Sequence, residues 1–318
     1  MKTSLWKRDW VTGLLTVILV LAVHNCTKLV DNLERSAYDA GVRGSSRTPQ
    51  DNIAILAIDE ASVQNIGRWP WSRDVHAEMI RRLNGAGAKV IAYTPIFSEP
   101  QIDPGLHYIN DLVAYYQQAG LSQQSADGSP NRLQQHKALI GRAGSAATSF
   151  AAIEKSINEI EGFLREAQSS LNVDQKLAAG MAEAKNVITP MWFLFGQPLG
   201  NPDSALPEFV QKLAIQNVQD NIQARDLGYG YMPLEVFEAI TPITDIGSAA
   251  NAVGNINNFP DVDGGIRSEP LVVDYFQTLY PSYALLIAAR SLNLGVADIT
   301  VKLGEGIQLG RLNIGTDG

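Results

Sequence analysis

The chain has 318 residues, 45% hydrophobic and 18% charged, with one cysteine and a formal net charge of −8. That length supports one large domain or two ordinary ones, and the absence of any long polar tract excludes wholesale disorder. A single cysteine excludes an internal disulfide and a Cys-rich zinc site, and the negative balance argues against a nucleic-acid partner, which demands a basic face.

Lys2, Lys7 and Arg8, opposed only by Asp9, precede an apolar run from Trp10 to Val23. Extended to Val30, the segment reaches 21 residues, roughly 31 Å as helix. A cleaved signal peptide needs small residues before its cut, and the stretch Ala22-Val23-His24-Asn25-Cys26 offers a poor site. Residues 1–30 therefore read as a cytoplasmic tip and an uncleaved N-terminal transmembrane helix in the cell (inner) membrane. The leading positive charge places the N-terminus inside and the remainder on the periplasmic or extracellular side. Setting Lys2, Lys7, Arg8 and Asp9 aside leaves that remainder at −10.

Residues 31–48 read as a stalk: Leu29, Leu33 and Ala37 recur at helical spacing until Gly44-Ser45-Ser46 and Pro49 stop them. From residue 49 to 318 the pattern is that of one enlarged domain. Asn52–Asp59 is a continuous apolar run, the pattern of a buried strand; Arg73–Gly85 is helical; Lys89–Phe97 is a second buried strand. Strand, helix and strand suggest a right-handed βαβ unit. Asn186–Phe195 is a third buried strand, preceded by a helix over Asp174–Ala184. Asp261-Val262-Asp263-Gly264 is a hairpin turn, Pro281–Leu292 a helix, and Ile299–Leu303 and Gly306–Gly315 supply further strands. The expected fold is α/β, a central mixed β-sheet flanked by helices. Two insertions enlarge it, 120–175 and 196–230, and the sequence assigns the second no role.

Within the first insertion Phe150, Ile153, Ile157, Ile160, Leu164, Ala167 and Leu171 follow a heptad over three repeats, a long amphipathic helix. Two readings stand: a helix laid on its own domain, or an oligomer interface formed by Phe150, Ile153, Ile157, Ile160, Leu164 and Leu171 that assembles a homodimer.

Asp59 and Glu60 close the first apolar run, where open α/β sheets place ligand-binding residues, and Ser62 follows. Either acid can instead cap the helix beginning near Ala61. Arg68-Trp69-Pro70-Trp71-Ser72-Arg73 gathers two indoles and two guanidiniums in one turn, suited to stacking on a cation or clamping an anion. The competing reading is an aromatic plug with Arg68 or Arg73 paired to Asp59 or Glu60. Asp59, Glu60, Ser62, Arg68, Trp69, Trp71 and Arg73 form the candidate ligand site. No metal motif, catalytic triad or glycine-rich phosphate loop is present, and the sequence assigns neither catalytic residue nor cofactor.

The phrases YDAGVRG, NIAILAIDEASVQNIGRWPWSRDVHAEMI, GAKVIAYTPIFSEP, DQKLAAGMAEAKNVITPM, GNINNFPDVDGGIRSEPLVV and PSYALLIAARSL occur in that order. Together they resemble the type-two CHASE domain, the extracellular sensor of bacterial transmembrane receptors. The resemblance implies a sensor that follows one membrane helix, responds to a small-molecule or protein signal, and relays it to a cytoplasmic output, an adenylate or guanylate cyclase foremost, or a kinase. No such output lies in this chain, and the resemblance implies a receptor truncated at its C-terminal side. Thr94 stands where the family commonly carries Asp. The alternative from another class is a membrane-anchored interaction module that assembles through its heptad helix and takes no small ligand.

Overall fold

A computed structural model describes residues 9–26, 28–45, 50–101, 103–122, 135, 144–202, 204–228 and 230–316. Contacts divide the chain into two units, Met1–Asn65 and Ile66–Gly318.

In the first unit, α1 spans Asp9–Cys26 and α2 spans Leu29–Gly44. The span expected to run unbroken to Val30 is corrected: α1 stops at Cys26, its last turn carrying His24 and Asn25. Its 18 residues rise about 27 Å, short of a hydrocarbon core of about 30 Å. No helix among the described residues is long and apolar enough to cross a membrane. Leu14, Val17, Ile18 and Leu21 are each more than half exposed. The second correction concerns the first buried strand. Residues 53–59 form no strand, and Ile55 is 90% exposed. An apolar run becomes a strand only when a neighbouring ladder receives its N–H and C=O groups, and among the described residues none does. Helix α3, Glu60–Ile66, follows.

The second unit is built on a six-stranded mixed sheet. Its elements are β1 (Ile91–Ala92), β2 (Val187–Phe195), β4 (Leu234–Ile240), β5 (Ala252–Asn255), β8 (Val272–Tyr275) and β9 (Thr278–Pro281), with β3 (Asn217–Gln219) in a separate sheet. β2 is the hub. Its first five residues are buried, and they pair in parallel with β1 on one side and β5 on the other, with Ile91 opposite Val187 and Ile188 opposite Ala252. A strand covered on both faces reads as a continuous apolar run, which is how Val187–Met191 reads. Its second half pairs antiparallel with β4, Trp192 opposite Ile240, and the sheet continues through parallel β8 to antiparallel β9.

Of the second apolar run, Lys89–Phe97, only Ile91–Ala92 is strand, extended by Tyr93 N–H donating to Ile188 O at 3.0 Å. β6 (Phe259–Pro260) and β7 (Ile266–Ser268) make the expected hairpin, closed by Arg267 on Asp261 and Asp263. β3 joins a four-stranded sheet with β10 (Ile299–Lys302), β11 (Gly306–Leu309) and β12 (Leu312–Gly315).

Helices cover the sheet. α4 (Arg73–Gly85) buries Arg73, His76, Ala77 and Ile80, one stripe at spacings of three and four. It packs on a helix over Val173–Ala184 through Leu177 and Met181. Farther along the chain lie short helices over Glu208–Gln211 and Ala224–Leu227, then Thr244–Ala249 and Tyr283–Ser291. The last of these meets β5 so closely that a Cβ on Gly254 would sit 2.5 Å from Tyr283 Cα, so only glycine fits there.

Two further helices lie among the described residues, so that in chain order α5 is Pro104–Gln118, α6 Gly144–Leu171, α7 Val173–Ala184, α8 Glu208–Gln211, α9 Ala224–Leu227, α10 Thr244–Ala249 and α11 Tyr283–Ser291. α5 and α6 form an antiparallel hairpin. Tyr116 OH donates to Ile157 O, Gln168 Nε2 donates to Asn110 Oδ1 at 2.8 Å, and Leu171 lies beside Gly105. Of the heptad set, Ile157, Leu164 and Leu171 are half-buried within this hairpin, while Ile153 and Ile160 are about half exposed. The Phe150 side chain lies outside the described residues.

Candidate functional site

The residues grouped by sequence fall in the two different units. In the first, Asp59 takes the capping role: its Oδ1 accepts from Ser62 N at 2.8 Å and from Ser62 Oγ at 2.6 Å at the start of α3. These bonds, the hydroxyl's foremost, hold the carboxyl below its ordinary range. Glu60 accepts from Gln64 Nε2 at 3.4 Å, one turn along the same helix.

In the second unit, Trp69, Trp71 and Arg73 surround the start of α4. The Trp69–Pro70 peptide is cis. Trp71 Nε1 donates to Gly67 O at 2.7 Å, and the two indoles meet edge to face with centroids 5.4 Å apart. His76 lies beneath them, 4% exposed, with Trp69, Tyr93 and Phe97 each 5.6 Å away. Its Nδ1 is hydrogen-bonded to Tyr93 OH. Burial, reinforced by the Arg73 charge, pushes the His76 pKa down, and burial pushes the Tyr93 hydroxyl up.

Arg73 is buried and paired. Its guanidinium pairs with Asp174 on α7, donates to Glu99 O, and lies 4.8 Å from the Phe97 ring. Gln101 joins in, its side chain accepting from Arg73 N at 2.9 Å and its backbone donating to Asp174 Oδ2 at 3.1 Å. The expected partners, Asp59 and Glu60, are replaced by an acid 101 residues away in sequence. Arg68 is exposed and makes no ion pair with another described residue. The geometry is a clasp that joins α4, α7 and the chain after β1, with the Arg73 charge already matched by Asp174.

A second place is open. A cleft of about 710 Å³ lies between residues 198–202 and 205–206 on one side and the β8–β9 hairpin on the other, lined by Asn201, Glu235, Asp274, Phe276 and Tyr280 among others. Glu235 on β4 and Asp274 on β8 are register partners across a parallel pair, which turns both side chains to one face. The hairpin turns on Phe276 and Gln277, both at positive φ (48° and 67°), as a two-residue loop matched to strand twist requires. Asp274 Oδ1 is buried without a hydrogen-bond partner. Burial raises the Asp274 pKa and the Glu235 charge adds to it, against a Gln277 backbone hydrogen bond and the Arg225 charge. Burial raises Tyr280 as well. A half-desolvated carboxylate with a spare lone pair, a second carboxylate beside it and aromatic walls can receive an ammonium group. Among the described residues no group of three or more His, Cys, Asp or Glu converges as metal ligands would.

Sequence reasoning passed over this cleft because one wall is the second insertion and the other an apolar strand. The available signal was the lone acid in Leu271-Val272-Val273-Asp274-Tyr275, a charge inside a run that otherwise reads as core.

The family model of the CHASE2 domain matches residues 12–317. No curated protein and no solved structure matches the chain. With the match covering nearly its whole length, the chain belongs to the CHASE2 domain family, a family of sensor domains of signalling receptors.

Proposed function

We propose that this domain senses a small organic cation bearing an ammonium group, bound in the Glu235–Asp274 cleft on the outer side of a membrane. The observation that carries the reading is the buried, unpartnered Asp274 Oδ1 on the wall of a cleft large enough for a small molecule. Attachment to the membrane falls to the N-terminal segment. Leu14, Val17, Ile18, Leu19 and Leu21 of α1 are more than half exposed, and a helix apolar all round finds its cover in lipid or protein.

The relay begins at the cleft wall. The chain from Pro198 to Leu206 continues through α8 into β3, and β3 pairs with β10 of the sheet that carries β11 and β12. Closing the wall on a ligand pulls on β3 and so on that sheet. The signal shifts the receptor only by its difference in affinity for the two states. The output we assign is a cytoplasmic nucleotide cyclase, by resemblance to the receptors that carry such sensors.

Thermal unfolding of the full chain with putrescine and with lysine as probes tests the cleft. A midpoint that rises with probe concentration in wild type and is flat in Asp274→Asn is the expected result. Equal responses in the two proteins, or none in either, would overturn the cleft reading.

A further inference from the structure

The α5–α6 hairpin leaves one flank uncovered. Tyr108, Leu112 and Tyr115 on α5 are 69%, 50% and 70% exposed, and Ile153, Ile160 and Phe163 on α6 are 55%, 49% and 70% exposed. At 100° per residue, each set precedes the face that packs in the hairpin by roughly the same quarter-turn. On α5 that packing face runs through Val113 and Tyr116, and on α6 through Glu161 and Leu164. In antiparallel helices the same angular offset falls on the same side, so the six side chains form one stripe across the hairpin. Among the described residues nothing covers it.

We infer that this flank is the contact between two copies of the chain, two hairpins meeting about a two-fold axis as a four-helix bundle. Area supports that occupant. Three aromatics at about 200 Å² each when fully exposed, plus three aliphatic side chains, offer roughly 700 Å² per copy at the exposures found, close to the roughly 800 Å² per partner of a standard interface. Charge narrows the choice. The charged residues bordering the stripe on the two helical wheels are Asp111, Glu159 and Glu166, with Lys155 next to them and paired to Glu159 at 3.8 Å, a border that stays net acidic and disfavours anionic lipid. A hairpin flank facing its own copy needs only apolar matter at its centre, with the acids left at a wet rim where they cost little. The proposal is independent of the cleft. It keeps Ile153 and Ile160 of the heptad set at the contact but takes Ile157 and Leu164 out of it, because those two are half-buried inside the hairpin.

The test is the molar mass of the full chain in detergent by sedimentation, with Cys26→Ser as background. Wild type is expected to be a dimer at tens of micromolar. Phe163→Glu and Tyr115→Glu are each expected to give a monomer with unchanged circular dichroism, since both side chains are exposed. Phe163→Cys should form an intermolecular disulfide on mild oxidation, and Glu154→Cys on the other side of α6 should not. A monomeric wild type overturns the inference, as does a dimer that survives both glutamates. Loss of vesicle binding in Phe163→Glu without a change of mass would assign the flank to lipid and equally overturn it.

Discussion

Asn257 pairs with Phe193 as a strand would: its Oδ1 accepts the Phe193 N–H at 2.8 Å and its Nδ2 donates to the Phe193 carbonyl at 2.8 Å. β5 ends at Asn255, Ile256 N–H still reaches Met191 O at 3.0 Å, and there the backbone leaves the ladder. The amide takes over one more rung, itself oriented by its own N–H on Asn255 Oδ1 at 3.1 Å. Only a side chain with donor and acceptor in this geometry can do it. Asn257→Ala is expected to leave two buried backbone groups of Phe193 unpaired, costing about 2–4 kcal/mol in denaturant unfolding. Asn257→Asp, which sets a carboxylate against a carbonyl, should cost more. A loss under about 1 kcal/mol for the alanine variant would show that water replaces the rung.

The Arg73–Asp174 clasp gives a second expectation. The Arg73 and Asp174 side chains are 8% and 11% exposed, so Arg73→Ala strands a buried carboxylate and is expected to destabilise by about 3–5 kcal/mol. Replacing both partners, Arg73→Met with Asp174→Leu, should recover most of that loss. Because the clasp lies outside the Glu235–Asp274 cleft, the double variant should still respond to putrescine. Response lost in a folded double variant would place the clasp in the sensing path.

Helices were more legible than strands. Arg73–Gly85 carries an apolar stripe, an acid in its first turn and a glycine at its end, all local signals, and the structure keeps those bounds. Val187–Phe195 was legible because burial on both faces removes polar residues from its first half. Asn52–Asp59 has the same pattern but finds no ladder among the described residues; pairing is non-local, and no run of residues encodes its partner. The clasp illustrates the same limit. Trp69, Trp71 and Arg73 stood out as a group, yet the acid that completes it sits on α7, while the nearer acids, Asp59 and Glu60, bond within their own helix. The cleft was hidden because its two carboxylates are 39 residues apart and meet only through the register of β4 and β8.

Asp274 predicts a trade between stability and binding. Its folded pKa is raised, chiefly by burial, so the native state holds the proton more tightly than the unfolded chain. Stability from this group is therefore present below the unfolded value near 3.9 and is lost as pH rises through the folded value. At pH 7 the charged carboxylate is a net cost. Asp274→Asn is expected to raise the unfolding midpoint at pH 7 by a few degrees and to leave it nearly unchanged at pH 3.5. A variant less stable than wild type at pH 7 would mean that the Gln277 backbone hydrogen bond and the Arg225 charge outweigh the burial of the carboxylate.

His76 carries the opposite dependence. Burial and the Arg73 charge depress its pKa, against a smaller opposing effect of Asp74 and of a hydrogen bond to the Trp71 backbone. Its Nδ1 shares a hydrogen bond with Tyr93 OH, which the hydroxyl can make as donor or as acceptor, so the cost of a proton on the ring is the added charge, buried and beside Arg73. The unfolded chain binds that proton near pH 6.5 and the native state only at lower pH. Between the two values the unfolded state holds more protons, so stability rises with pH. The contribution is complete above about pH 6.5 and is lost as pH falls through the folded value. Unfolding midpoints taken between pH 7.5 and 5 for wild type and His76→Gln separate this group from the carboxylates that titrate in both. The wild-type midpoint is expected to fall more steeply, while the neutral amide of the His76→Gln variant keeps a hydrogen bond to Tyr93 at every pH. Parallel curves would show that His76 is protonated equally in both states, and that the aromatic cage over α4 does not exclude its charge.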